Sequence, residues 1–319
     1  MSTRIVYMGT PEFAVAPLRS LIAGGYHIAG VVCQPDRPKG RHMKRDPVPV
    51  KQLANQQGID VIQPEKIKDP AFHAQLLSWK PDLIVTAAYG RILPPAVLAI
   101  PKRGCLNVHA SLLPAYRGAA PIQWSLIRGE KTTGITIMLM DEGMDTGPIL
   151  AQETLAVPPD MDAGQLSQTL SELGAGLLPA VVDAWLAGTL EPRAQDEDKA
   201  FSVPPLTRDM GEIDWTRTDE QIHNQIRGLY PWPGTYTWCS DKRLKIHRAR
   251  VCRDKEIRDL AEGQEPGTIC LCSREAMSVV CGSGVIDLLE IQSESGKRLH
   301  CRDCAHNYRM GQKMGGQES

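Results

Sequence analysis

The sequence predicts an α/β protein: a Rossmann-like, mostly parallel sheet (residues 1–188), a linker (189–207) and a small β-barrel of OB-like type (208–319). Three observations carry this. Short β-branched apolar runs alternate with helical stretches through the first half of the chain, as in strands buried on both faces and joined by right-handed crossovers. A polar, proline-bearing stretch from Thr189 to Thr207 then breaks the alternation. Past it, one helical segment precedes five short strands punctuated by glycine, which suits a small barrel.

Arg4 to Met8 is apolar and β-branched, and Pro11 to Ala23 has a helical spacing that Gly24-Gly25 ends. Further strands are expected at His27–Cys33, Asp60–Ile62, Asp82–Ala88, Cys105–His109 and Ile135–Met140. A long helix from Asp162 to Leu186, with Leu166, Leu170, Leu173, Leu177 and Leu178 at helical spacing, closes the first domain. In the second, a helix over Asp219–Leu229 leads to strands at Thr235–Trp238, Leu244–Val251, Thr268–Leu271, Ser278–Val280 and Val285–Ile291. The tail from Arg302 to Ser319 ends in Gly-Gly-Gln-Glu-Ser and reads as loose at its last residues.

With 319 residues, 42% hydrophobic and 23% charged, the chain has material for two cores. A net charge of −1 confines any nucleic-acid surface to local patches. No apolar run approaches the roughly 20 residues that cross a bilayer. Met1-Ser-Thr-Arg-Ile-Val-Tyr reads as a strand, not a leader, so the chain is expected in the cytoplasm, away from membranes. Nine cysteines, an odd number, are expected as reduced thiols. Cys270-x-Cys272 with Cys301-x-x-Cys304 and His306 is too tight in its first half for zinc, and no metal is expected. A dinucleotide site is set aside too: the first turn, Gly9-Thr-Pro-Glu-Phe, has one glycine where the fingerprint wants three.

The chemistry concentrates in Leu106-Asn-Val-His-Ala-Ser-Leu-Leu-Pro114. Strand alternation puts Asn107 and His109 on one face near the C-terminal end of their strand, where open α/β sheets bind ligands. The acidic, glycine-punctuated loop Asp141-Glu-Gly-Met-Asp-Thr-Gly147 follows the next strand and could bring Asp145 to the imidazole. A carboxamide, an imidazole and a carboxylate suit acyl transfer to an amine. Asn107 and a protonated His109 would donate to the tetrahedral oxyanion, and Asp145, or a water it orders, would take the amine's proton. The attacking group is the substrate's own amine, so no nucleophilic side chain is needed.

On these stretches the chain resembles the folate-dependent formyltransferases. The likeness extends to Gly9-Thr-Pro-Glu-Phe-Ala, Gln34-Pro-Asp-Arg-Pro-Lys-Gly-Arg, Ala88-Tyr-Gly-Arg-Ile-Leu-Pro, Tyr116-Arg-Gly-Ala-Ala-Pro-Ile-Gln, Ile213-Asp-Trp and Tyr230-Pro-Trp-Pro-Gly. The resemblance implies a catalytic set at Asn107, His109 and Asp145. It implies a tetrahydrofolate-binding turn at Ser111, Leu112, Leu113 and Pro114. It further implies a pterin held by the backbone of Tyr89, Gly90, Arg91, Ile92 and Leu93 and of the loop beginning at Asp141. The implied co-substrate is 10-formyltetrahydrofolate, and the implied acceptor is the amino group of initiator methionyl-tRNA, with no obligate protein partner.

Two basic stretches favour a tRNA acceptor over a small amine. Arg37 to Lys51 holds six cations (Arg37, Lys39, Arg41, Lys44, Arg45 and Lys51) and one acid, Asp46. Such a loop can reach the end of an RNA stem and its phosphates, and the resemblance assigns that role to an arginine here, Arg41 being the choice. Lys242 to Arg258 holds eight cations against Asp254 and Glu256. There Arg243, Lys245 and Arg248 are expected to meet tRNA, with Arg243, Lys245 and His247 alternating against Leu244 and Ile246. The alternatives are a sugar-nucleotide N-formyltransferase and a non-enzymatic RNA-binding protein on the same scaffold. Neutralising the basic loop would spare the first, and replacing His109 would spare the second.

Overall fold

In the computed structural model, residues 3–37, 46–273 and 276–316 are described. The first half runs β1 (Arg4–Gly9), α1 (Val15–Ala23), β2 (His27–Val32), α2 (Pro49–Gln56), β3 (Val61–Ile62), α3 (Pro70–Trp79), β4 (Leu83–Ala87), α4 (Pro95–Leu98) and β5 (Cys105–His109). It continues with β6 (Arg117–Gly118), α5 (Pro121–Ile127), β7 (Thr132–Leu139), β8 (Ile149–Ala156) and α6 (Ala163–Ala187). Seven strands form one sheet in the order β3-β2-β1-β4-β5-β7-β8. The pairs from β3 to β5 are parallel, and β7 and β8 are antiparallel, so the sheet is mostly parallel, as expected. The sequence reading missed β8: Ile-Leu-Ala-Gln-Glu-Thr-Leu-Ala is interrupted by three consecutive polar residues at the sheet edge. The helix expected from Pro11 starts at Val15, after a tight turn over Glu12–Ala14.

α6 corrects one expectation. By length and composition this 25-residue helix could cross a membrane. Its Leu170, Leu178, Val181 and Val182 are instead buried, and Ser171 donates to the Phe13 carbonyl at 2.6 Å. One face of α6 is thus packed against the first unit, and a third of its most apolar stretch is buried.

The chain clusters into two units: residues 1–121, 132–156 and 167–203, and residues 122–131, 157–166 and 204–319. The stretch expected as a linker is therefore split. Residues up to Val203 belong to the first unit, where β9 (Ser202–Val203) pairs with β6.

In the second unit, α7 (Asp219–Leu229) opens on a capping box at Thr218 and Gln221. Then come β10 (Thr235–Cys239), β11 (Lys242–Val251), α8 (Lys255–Leu260), β12 (Ile269–Cys272), β13 (Met277–Val280), β14 (Val285–Ser293), β15 (Leu299–His300) and α9 (Cys301–Cys304). The antiparallel sheet runs β10-β11-β14-β13-β12, with β15 on β14, around a core that includes Ile222, Ile246, Ile269, Met277 and Leu288. The tail is ordered further than expected. Met314 N donates to Gly267 O (2.8 Å) beside β12, and Gly315 N donates to Trp238 O (2.9 Å) on β10. Lys313 and Met314 thus bridge both edges of the sheet, and the Met314 side chain, 2% exposed, joins the core.

Candidate active site

β5 enters the sheet as Cys-Leu-Asn-Val-His, with Leu106 and Val108 buried. Asn107 pairs in register with Thr86 on β4, and His109 with Thr136 on β7. Thr86 Oγ1 lies 2.8 Å from Asn107 Oδ1 and 3.1 Å from the Leu106 carbonyl, and the Asp145 carboxylate, which can only accept, sets the carboxamide nitrogen outward. That nitrogen lies 3.4 Å from Asp145 Oδ1. His109, 6% exposed, places Nδ1 3.6 Å from the same oxygen, while Nε2 meets the Tyr116 carbonyl at 3.0 Å. A carbonyl can only accept, so Nε2 carries a proton. With Nδ1 facing a carboxylate, both nitrogens look onto acceptors, which suits the doubly protonated ring.

Asp145 arrives by an unexpected route. β7 runs antiparallel to β5, so its exit lies beside the start of β5, where Met140 N donates to Cys105 O (2.7 Å). The loop must fold back to reach Asn107 and His109. It is held in that shape by Asp141, whose Oδ1 accepts from Gly143 N (3.0 Å) and Thr146 Oγ1 (2.7 Å). Asp145 itself adopts φ 56°, and its second oxygen, Oδ2, accepts from Gly118 N at 2.8 Å. A Cβ on Gly147 would run into the Leu139 carbonyl, so glycine is needed where the loop rejoins the sheet.

The Ser111–Pro114 turn is pinned from several sides. Ser111, fully buried, donates to Ala115 O (2.7 Å), and Thr136 Oγ1 donates to Ser111 O (2.7 Å) and accepts from Leu113 N (3.0 Å). Gln152 Nε2 donates to Leu113 O (2.8 Å), Leu113 packs on Met138 and Ile149, and Leu112 and Pro114 are half-buried. In the second segment, Tyr89 and Leu93 are core side chains while Gly90 and Ile92 are exposed and Arg91 donates to Glu65 O (2.8 Å). Its backbone stays outside, on an anchor of two buried side chains. Gln34 Nε2 already holds the Tyr89 carbonyl at 2.8 Å.

Of the basic loop, Lys39, Arg41, Lys44 and Arg45 lie outside the described residues, and Arg37 is exposed. Its base is closed by Asp36, which accepts from Lys51 Nζ (2.6 Å), Gln63 Nε2 (2.9 Å) and Val48 N (3.1 Å). Burial pushes the Asp36 carboxyl up, but these donors outweigh it and hold it below the ordinary carboxylate range. Lys51 is therefore committed to the loop's base rather than to a partner. On β11, Lys245 and Arg248 are exposed and Arg243 stacks 3.7 Å over the Tyr236 ring. Strict alternation from Leu244 and Ile246 would bury Arg248. A bulge between Ile246 and Arg248 turns it outward and buries Ala249 instead.

Thr86, Thr136, Gln152 and the Gly118 amide were not singled out from the sequence. The one signal for Thr86 was a polar residue in the otherwise apolar Leu-Ile-Val-Thr-Ala strand.

Among known proteins, the profile of the family described as Formyl transferase matches residues 3–182, and that of its C-terminal domain matches residues 205–309. The chain is 46% identical over 314 residues to the methionyl-tRNA formyltransferase of Geobacter sulfurreducens, covering 98% of this chain and 96% of that one. It is 46% identical over 301 residues to that of Caldanaerobacter subterraneus subsp. tengcongensis, covering 94% and 95%. Its fold is similar to WlaRD, a sugar 3N-formyl transferase, with a TM-score of 0.67 at 16% identity over 93% of this chain and 100% of that one. It is also similar to HypX from Aquifex aeolicus in complex with tetrahydrofolic acid, with a TM-score of 0.66 at 16% identity over 95% and 47%.

Proposed function

The chain belongs to the formyl transferase family, and on that premise we propose that it moves the formyl group of 10-formyltetrahydrofolate to the free amino group of initiator methionyl-tRNA. The observation that carries the reading is one carboxylate oxygen, Asp145 Oδ1, facing both the Asn107 amide and the His109 ring. As the amine attacks the formyl carbon, the carbonyl oxygen gains charge. Asn107 gives it an amide hydrogen, whereas His109, expected to donate as well, has Nε2 on the Tyr116 carbonyl and Nδ1 towards Asp145, so it acts by orienting that carboxylate. Asp145 faces that ring and lies where it can take the amine's proton, directly or through water. The tetrahedral adduct then collapses: the carbonyl re-forms, the C–N bond to the folate breaks, and the folate nitrogen leaves with the proton given up by the amine.

In this reading, residues 1–188 do the chemistry. The turn Ser111–Pro114, the backbone of Tyr89–Leu93 and the loop from Asp141 hold the folate. Residues 208–319 bind tRNA through Arg243, Lys245 and Arg248, and the loop carrying Arg37, Lys39, Arg41, Lys44 and Arg45 engages the acceptor end, in the cytoplasm where translation begins.

The test supplies the purified protein with 10-formyltetrahydrofolate and one of three acceptors: charged initiator tRNA, charged elongator methionine tRNA, or an amino-sugar nucleotide. Formylation of the initiator alone is expected. Equal formylation of both tRNAs would overturn the assignment of the basic loop, and formylation of the sugar alone would overturn the acceptor.

A further inference from the structure

Residues 195–203, the end of the expected linker that packs on the first unit, grip the catalytic loop. Gln195 Nε2 donates to the backbone carbonyls of Asp145 (2.8 Å) and Gly147 (2.7 Å). Its Oε1 accepts from Arg117 Nε (3.0 Å) and Nη2 (2.9 Å). A guanidinium can only donate and the two carbonyls can only accept, so the Gln195 amide has a single orientation. Arg117, 6% exposed, is fixed in turn by a two-pronged pair with Glu197, Nη1 to Oε2 at 3.0 Å and Nη2 to Oε1 at 2.6 Å. The main chain adds to the grip: Arg117 N donates to Phe201 O (3.0 Å), and the Tyr116 and Phe201 rings meet edge to face at 4.7 Å.

Arg117 lies between the two groups that hold the catalytic side chains. The carbonyl before it, on Tyr116, meets His109 Nε2, and the amide after it, on Gly118, meets Asp145 Oδ2. Gln195 ties that segment to the far side of the Asp145 loop. The Asp141 bonds to Gly143 and Thr146 shape the loop from within, but the left-handed Asp145 backbone is held from outside it, with the Asp145 and Gly147 carbonyls on Gln195. We infer that Gln195 and Arg117 are positioning residues for formyl transfer, clamping the Asp145 loop to the Tyr116–Gly118 segment so that one carboxylate serves both Asn107 and His109. The inference rests on the role proposed above for Asp145. Loosening such a clamp by about 1 Å costs on the order of 10²-fold in rate.

Two variants test it. Gln195→Ala removes both donors. Gln195→Glu keeps the length and the Arg117 pairing but turns a carboxylate oxygen towards two carbonyls. Both are expected to lose about 10- to 100-fold in kcat, with KM for folate and tRNA within about two-fold and thermal unfolding little changed. Lowering the pH protonates the glutamate, which can then donate to one carbonyl. The ratio of Gln195→Glu to wild-type kcat therefore rises towards acid, while that of Gln195→Ala stays flat. Wild-type kcat in either folded variant overturns the clamp, as does a loss confined to KM or one that tracks unfolding. Asp145→Ala, run alongside, separates the two levels. If it abolishes turnover while the Gln195 variants are normal, the clamp alone falls. If it turns over normally, the role of Asp145 falls with it.

Discussion

Around His109 stand a backbone carbonyl, a carboxylate and a carboxamide, each contributed by a different segment of chain. In the proposed reading Asn107 is the neutral donor of the set. Asn107→Ala is expected to lower kcat by about 10²–10³-fold, the loss typical of one oxyanion donor, in a single-turnover assay that leaves substrate binding intact. Thr86 gives that amide's oxygen its hydrogen bond, so Thr86→Val leaves it unpaired. A hydrogen bond of about 1 kcal/mol corresponds to a roughly five-fold fall in kcat, measurable in the same assay. Asn107 and His109 were legible in the sequence because strand alternation alone puts them on one face. Thr86 was not, since only the pairing of β4 with β5, which spans 21 positions of sequence, sets its hydroxyl against the amide.

The loop from Met140 to Gly147 is the element on which the site turns. Its Asp-Thr-Gly ending was readable, but its path was not, because the antiparallel course of β7 depends on pairing partners no local pattern names. Gly147→Ala forces the new methyl against the Leu139 carbonyl. The expected cost is about 1–3 kcal/mol in chemical denaturation, with kcat falling further than stability as Asp145 is displaced. The basic loop behaves differently. Asp36 and Gln63 hold its base through Lys51 and Val48, so charges beyond the clasp can be removed without loosening the fold. Neutralising Arg37, Lys39 and Arg41 together is expected to raise KM for tRNA and leave the unfolding midpoint alone. The slope of log KM against log salt should flatten by about 0.7–0.9 for each phosphate that is no longer neutralised. Arg248 shows where alternation fails as a guide: one bulge exchanges inward and outward positions, and no residue type announced it.

For the whole molecule, two sheets built on opposite principles account for most of what the sequence disclosed. The parallel strands are continuous apolar runs, and the antiparallel ones alternate, so both classes were readable from periodicity. Edge elements escaped: β8, interrupted by Gln-Glu-Thr, and the tail, whose glycines suggested slackness. Met314 shows the tail's weight, since it completes the core of the second sheet. Met314→Ala is expected to destabilise that unit by about 2–5 kcal/mol, read as an earlier transition in denaturant while the catalytic unit's transition stays put.

The bridging of β10 and β12 by Lys313 and Met314 also bears on how the chain is made. On the ribosome, both rims of the second sheet emerge well before the segment that seals them. Until Gln312–Gly315 clears the exit tunnel, the nascent chain carries unpaired amides and carbonyls on the β12 rim and on the part of β10 that Ile213 does not cover, the kind of surface that recruits other strands. The half-made protein is therefore at its stickiest while that segment is missing, and holdase chaperones have most to protect in that interval.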